Sequence, residues 1–211
     1  MVELLVAIAI ILVLASIGIP TMLAIQKQQK VKNTRANIEI IETAFKEFQG
    51  DFGDYPSAVL LEAKLTEKGA SMPSQSSENL GNEVMVACMA TLLPELFGKP
   101  AYLPVSLTGV EGDKLIDLDG DGMKELPDAW NRPYIYFHYS QYHSSVQQTY
   151  NHGLNQDNNT NATAKAKSDG VYFRLTDYQF WSCGPNQAND TNCSKTSGTS
   201  ADDDIRNWSD D

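Results

Sequence analysis

The chain has 211 residues, 42% hydrophobic and 20% charged, with a formal net charge of −11. That composition suits one folded domain with an appendage, and an acidic balance of this size argues against a general nucleic-acid binder. The three cysteines, Cys88, Cys183 and Cys193, are an odd number and exclude a fully paired intramolecular framework. The chain opens MVELLVAIAIILVLASIGIP, and Leu4 to Ile25 carry no charge. As a helix rising about 1.5 Å per residue, that run is long enough to cross a bilayer core. One acid, Glu3, stands at its tip, and Ser16, Gly18 and Pro20 interrupt its end. Pro20 lacks the amide that would bond the Ser16 carbonyl, which predicts a kink or loosening there.

Lys27, Lys30, Lys32 and Arg35 follow as a purely basic stretch. The helix is predicted to resume and reach about residue 49, with Ile38, Ile41, Phe45 and Phe48 on one apolar stripe that packs on a head. Gly50, Gly53 and Pro56 end it. Ser57 is placed to cap a helix running to Lys68, with Leu60, Leu61 and Leu65 inward and Gly69 closing it. Residues 70–82 read as a polar loop. Asn82 is predicted to cap a further helix whose apolar face carries Met85, Cys88, Met89 and Leu92, so Cys88 is expected to be a buried thiol. Pro94 breaks that helix or starts a new turn. Strands are predicted at 133–139, 171–175 and 178–183 from their aromatic and β-branched content, with 147–169 as a long surface loop.

The densest chemistry lies in DLDGDGMKELPD, residues 117–128. Calcium takes six to eight oxygen ligands, and alternating acids with a glycine at the sharp turn supply them. The expected set is Asp117, Asp119 and Asp121 through side chains, Met123 through its carbonyl, Glu125 directly or through water, and Asp128 closing the shell. Cys183 and Cys193 stand ten positions apart and are expected to bridge, restricting the unfolded chain by roughly 2–3 kcal/mol. Asn158, Asn161, Asn189, Asn192 and Asn207 each begin an N-x-Ser/Thr sequon, and their use as glycosylation acceptors is left open. His138, His143 and His152 have no metal-ligand spacing, and no G-x-S-x-G or P-loop pattern occurs, so no enzyme is expected.

Glu-Leu, an aliphatic run and Pro20 seventeen residues after Glu3 together resemble the N-terminal helix of type IV pilins and type II secretion pseudopilins. DAWNRPYIYF (128–137) resembles the D-x-W-G-x-P-Y segment of major pseudopilins, with Asn131 where that family has glycine. SCGPN (182–186) and DDDIRNW (202–208) resemble the family's S-x-G-x-D segment and its acidic terminus. The resemblance implies an α+β fold: an apolar N-terminal helix over 1–25, an amphipathic continuation over 26–50, and a head over 51–211 with a small antiparallel sheet. It implies a homo-oligomeric helical filament, an inner-membrane precursor and a pilus or secretion assembly machinery as partners. Glu3, Gly18 and Pro20 are the implied assembly residues, Glu3 pairing with the N-terminal amine of an adjacent subunit. A basic leader, a peptidase cut and a methylated N-terminus ahead of Met1 are further expectations. Asn186 and Asp203 are implied ligands of a second calcium site. A surface fibre is the preferred reading. A secretion pseudopilus is the alternative within the family, and a monomeric membrane-anchored calcium-binding domain is the rival outside it.

Overall fold

The computed structural model describes residues 2–74, 78–143, 148–150, 160–167, 169–185 and 204–208. It is an α+β structure in which five helices precede the strands. Helix α1 spans Val2–Phe52. Its backbone stays helical through Gly18 and Pro20, so the predicted interruption is absent in the single chain. One missing amide removes one hydrogen bond, and the flanking turns carry the helix across it. The predicted stripe is the part that binds the head. Ile41, Phe45 and Phe48 are wholly buried and Ile38 nearly so. Gly53, at φ 83°, takes the chain off the helix.

Helix α2 spans Ala58–Glu67, and Ser57 caps it by accepting from the Leu60 amide (3.1 Å). Leu61 and Leu65 point inward, as expected. Helix α3 spans Leu80–Met89 and starts earlier than predicted. Its N-terminal flanking residue is Asn79, and Asn82 lies inside the helix, fully buried. The Asn82 side chain donates to the carbonyls of Leu126 (3.1 Å) and Tyr134 (2.7 Å) and accepts from the Leu126 amide (2.7 Å). A buried amide with such partners ties two segments together more strongly than it would cap one helix. Helix α4 spans Leu92–Phe97, with Pro94 in its first turn, where a missing amide costs little. Leu80–Phe97 has a mean hydropathy of 1.3, but 61% of it is buried within the fold, so its apolar character belongs to the core. Helix α5 spans Val105–Thr108.

Strands β1 (Ile135–His138) and β4 (Tyr178–Ser182) pair antiparallel, with Ile135 opposite Trp181 and His138 opposite Tyr178. Strand β5 (Ile205–Arg206) joins the other edge of β4. Every residue of β1 and β4 is buried, because both faces are covered. One face meets α1 and α3 through Tyr134, Tyr136, Tyr178 and Phe180. The other carries Ile135, Phe137, Trp181 and Cys183 against Tyr142, Tyr150 and Ala162. Tyr136 donates to the Pro56 carbonyl (2.7 Å), fastening the sheet to the turn after α1.

Two predicted elements differ. Within 171–175 there is no strand: Tyr172 makes an isolated bridge with Ala166, and residues 173–175 form a turn. Arg174 sits at φ 53°, and its guanidinium reaches Glu42 (3.1 Å), Asp177 (2.8 Å) and the Asn207 carbonyl (2.9 Å). Those charge-assisted contacts outweigh a weak local strand preference. Within 147–169, read as a loop, β2 (Gln148–Tyr150) and β3 (Thr160–Ala162) form an antiparallel pair. Their partners lie across a polar connection, so local periodicity does not reveal them.

Candidate functional site

The loop at 117–124 is held at its neck by a two-way backbone pair. The Ile116 amide donates to the Glu125 carbonyl (3.1 Å) and the Glu125 amide to the Ile116 carbonyl (2.7 Å). Inside the neck the acids organise the turn. Asp117 accepts from the amides of Gly120 (2.7 Å) and Gly122 (3.1 Å), and Asp121 from that of Met123 (2.8 Å). Gly120 and Gly122 adopt φ of 82° and 96°, the left-handed conformations that the sharp turn requires.

The predicted acids do not all converge. Asp119 and Asp121 come together, each half-buried, and the third carboxylate beside them is Glu83 from the first turn of α3. One oxygen from each lies within 4.8 Å of the others. Asp117 is exposed, and both of its oxygens hold loop amides. Met123 is buried. Glu125 is wholly buried, and its carboxylate accepts from the Leu118 amide (2.9 Å) and the Asn79 side chain (3.1 Å). It therefore braces the neck beside the cluster.

Asp128 lies elsewhere, which revises its predicted role as the closing ligand. One oxygen accepts from the Ser182 hydroxyl (2.5 Å), and the other from the amides of Trp130 (2.8 Å) and Arg132 (3.0 Å). It builds the turn that leads into β1. Asn131 in that turn adopts φ 60°, the conformation that glycine favours and asparagine tolerates. Burial raises the Asp128 pKa, and the bonds from Ser182, Arg132 and Trp130 offset part of the rise.

Glu83 is the residue that sequence reasoning missed. It is wholly buried, and no donor reaches either of its oxygens. Burial first, then the negative charges of Asp121, Asp119 and Glu125, push its pKa far above the usual carboxylate range. A signal was present in the sequence: Glu83 is the only charged residue between Leu80 and Pro94.

Asn186, Asp203 and Cys193 lie outside the described residues. Cys183 and Cys88 are both buried and have no disulfide partner among the described residues, the expected partner of Cys183 being Cys193, and burial pushes both thiol pKa values up. The Asn207 side chain, one of the sequon asparagines, accepts from the Phe180 amide (3.0 Å) and donates to Glu42 (3.4 Å). Those bonds commit it to the packing between α1 and β4. A Ser140–His138–Asp54 contact has a local explanation: His138 caps the short 3-10 helix at 139–141 and accepts from the Ser140 amide.

At the other end of the molecule, Glu3 lies exposed in the first turn of α1. Val2, Leu4, Val6, Ile8 and Ile11 are also exposed, and the basic side chains of Lys27, Lys30, Lys32 and Arg35 are exposed after the apolar run. Compared with known proteins, the chain matches no family model, no curated protein and no solved structure.

Proposed function

We propose that the chain is a structural subunit that polymerises into a type IV pilus-like helical filament at the cell surface. The observation that carries this reading is the division of α1 into two unlike parts. From Ile38 to Phe48 its apolar stripe is covered by the head. Among the described side chains of its first turns, Val2, Leu4, Val6, Ile8 and Ile11 have no cover in the single chain, Val2 being 74% and Leu4 69% exposed. Large apolar side chains exposed at such density require another solvent or another copy. A bilayer serves before assembly, and neighbouring helices serve afterwards. The exposed basic residues from Lys27 to Arg35 fit the boundary between lipid and water.

Glu3 then has a role that a simple anchor lacks. A carboxylate drawn into an apolar assembly needs a cationic partner, because an unpaired charge there is costly. The N-terminal amine of a neighbouring subunit is that partner. Gly18 and Pro20 weaken the helix where subunits in a filament core must adapt to one another. Electron microscopy of sheared surface material tests the reading. The wild type should yield long filaments, and Glu3→Ala should leave membrane insertion intact while abolishing them. Assemblies that stay short and envelope-bound would mark a secretion pseudopilus instead. Unchanged filaments from Glu3→Ala would remove the assembly role of the acid, and absence of any assembly from the wild type would overturn the proposal.

A further inference from the structure

We infer that Glu83 of α3 is the inner ligand of a divalent-cation site whose outer half is Asp119 and Asp121, and that the ion is calcium. The inference stands apart from the filament reading. Two independent observations support it. The first is convergence: three carboxylates from segments 36 residues apart in sequence present oxygens within 4.8 Å of one another. Oxygens that share one calcium ion, at bonds of about 2.4 Å each, lie no farther apart than about 4.8 Å, and these three meet that limit. The second is the state of Glu83. It is wholly buried and faces the cluster, yet neither oxygen has a hydrogen-bond donor. Native interiors rarely leave such a group unmatched, and one common resolution is an ion. Among the described residues, the one side chain at hydrogen-bonding range of Glu83 is a further carboxylate, Glu125, which can be matched only by a proton shared between them or by a cation.

The chemistry of the donors selects the ion. All are hard carboxylate oxygens, with no histidine or thiolate, which disfavours zinc and copper. Two of the three stand on a turn that contains Gly120 and Gly122 rather than on a rigid helix or strand. A flexible, charge-rich shell suits calcium better than magnesium, which demands a tight octahedron and keeps its water. Backbone carbonyls and water would complete the shell. The ligand set differs from the one the loop alone suggests: Glu83 enters, and Asp128 leaves because Ser182 and two amides occupy its oxygens.

Calorimetric titration of calcium chloride into the full chain, stripped with chelator and held in detergent micelles, tests the assignment. Circular dichroism would verify that each variant is folded. The wild type should bind one calcium ion, with magnesium chloride binding more weakly. Glu83→Gln keeps the shape of the acid and removes its charge, and should weaken calcium at least about tenfold. Asp121→Asn, on the half-buried loop, should do the same and serves if the first variant does not fold. Asp128→Asn should keep the wild-type affinity. Equal affinity of wild type and Glu83→Gln would overturn the assignment. So would loss of binding in Asp128→Asn alone, or no wild-type binding up to about 5 mM calcium, beyond the range of extracellular calcium modules.

Discussion

At the scale of single residues, burial decides what each polar group does. His138 lies at the end of β1 with its side chain almost wholly covered. Asp54 approaches its Nε2 atom (3.3 Å), Ser140 its Nδ1 atom (2.8 Å), and the Tyr139 ring packs against it. Burial lowers its pKa, and Asp54 restores only part of the loss. The folded state then binds fewer protons than the unfolded chain just below the ordinary histidine value of about 6.5. The contribution of His138 to stability is therefore complete above about pH 6.5 and is lost as pH falls through the lowered value. Thermal melting of wild type and His138→Gln between about pH 7.5 and pH 5 tests this. The advantage of the wild type should shrink on acidification. An advantage that grows would mean that the imidazolium–Asp54 pair outweighs burial. The same rule explains which site residues the sequence could disclose. Asp119 and Asp121 advertise themselves through their alternation. Glu83 stands out in sequence only as the lone charge of an apolar stretch, and tertiary packing alone brings it to the loop acids, while Asp128 looks like a ligand until Ser182 and two amides reach it.

At the scale of elements, legibility follows the range of the forces. The stripe of α1, the Ser57 cap, the buried face of α3 and strands β1 and β4 were all readable, because each is written in periodicity or composition within a few residues. The β2–β3 pair was not, since its two short strands lie in a polar stretch without periodicity, and the Arg174 turn was not, since one of its partners, Glu42, lies far off on α1. The approach of α3 to the sheet is another long-range fact, and it hangs on one glycine. A Cβ built at Gly81 would collide with the Tyr136 carbonyl oxygen and the Gln148 side chain, and would lie 2.8 Å from the Tyr150 hydroxyl. The carbonyl belongs to β1 and cannot swing aside. Gly81→Ala should therefore destabilise the protein by about 1–3 kcal/mol, although alanine is the better helix former. Gly50, in the last turn of α1, is the control, since its Cβ would meet nothing. Gly50→Ala should be neutral or stabilise by up to about 1 kcal/mol. The urea midpoint should fall in Gly81→Ala and stay or rise in Gly50→Ala, and a matching fall in both would refute the close approach as the cause.

At the scale of the whole molecule, the contacts of α1 fix where the head begins. Among the described side chains of the helix, Val31 is the first to pack on the main core, and Thr34 is the first that is wholly buried. Ile38, Ile41, Ala44, Phe45 and Phe48 then supply one wall of that core, with Phe45 against Tyr136, Tyr178 and Phe180. None of the described side chains before Gln26 joins either hydrophobic cluster. A chain of residues 26–211 should therefore fold and run as a monomer without detergent, keeping the near-ultraviolet signal of the buried aromatic cluster. A chain of residues 46–211 loses Ile38, Ile41, Ala44 and Phe45, and should not fold, since deleting a single buried phenylalanine side chain already costs about 3–5 kcal/mol. Gel filtration and circular dichroism of the two truncations discriminate between outcomes. Aggregation of 26–211 would mean that residues 1–25 shield part of the head rather than serving only lipid and neighbouring copies. A soluble, folded 26–211 that remains monomeric at high concentration, beside a full chain that assembles, would locate the drive for assembly in the first 25 residues. The head would then be cargo on a helix whose exposed apolar face sets the architecture.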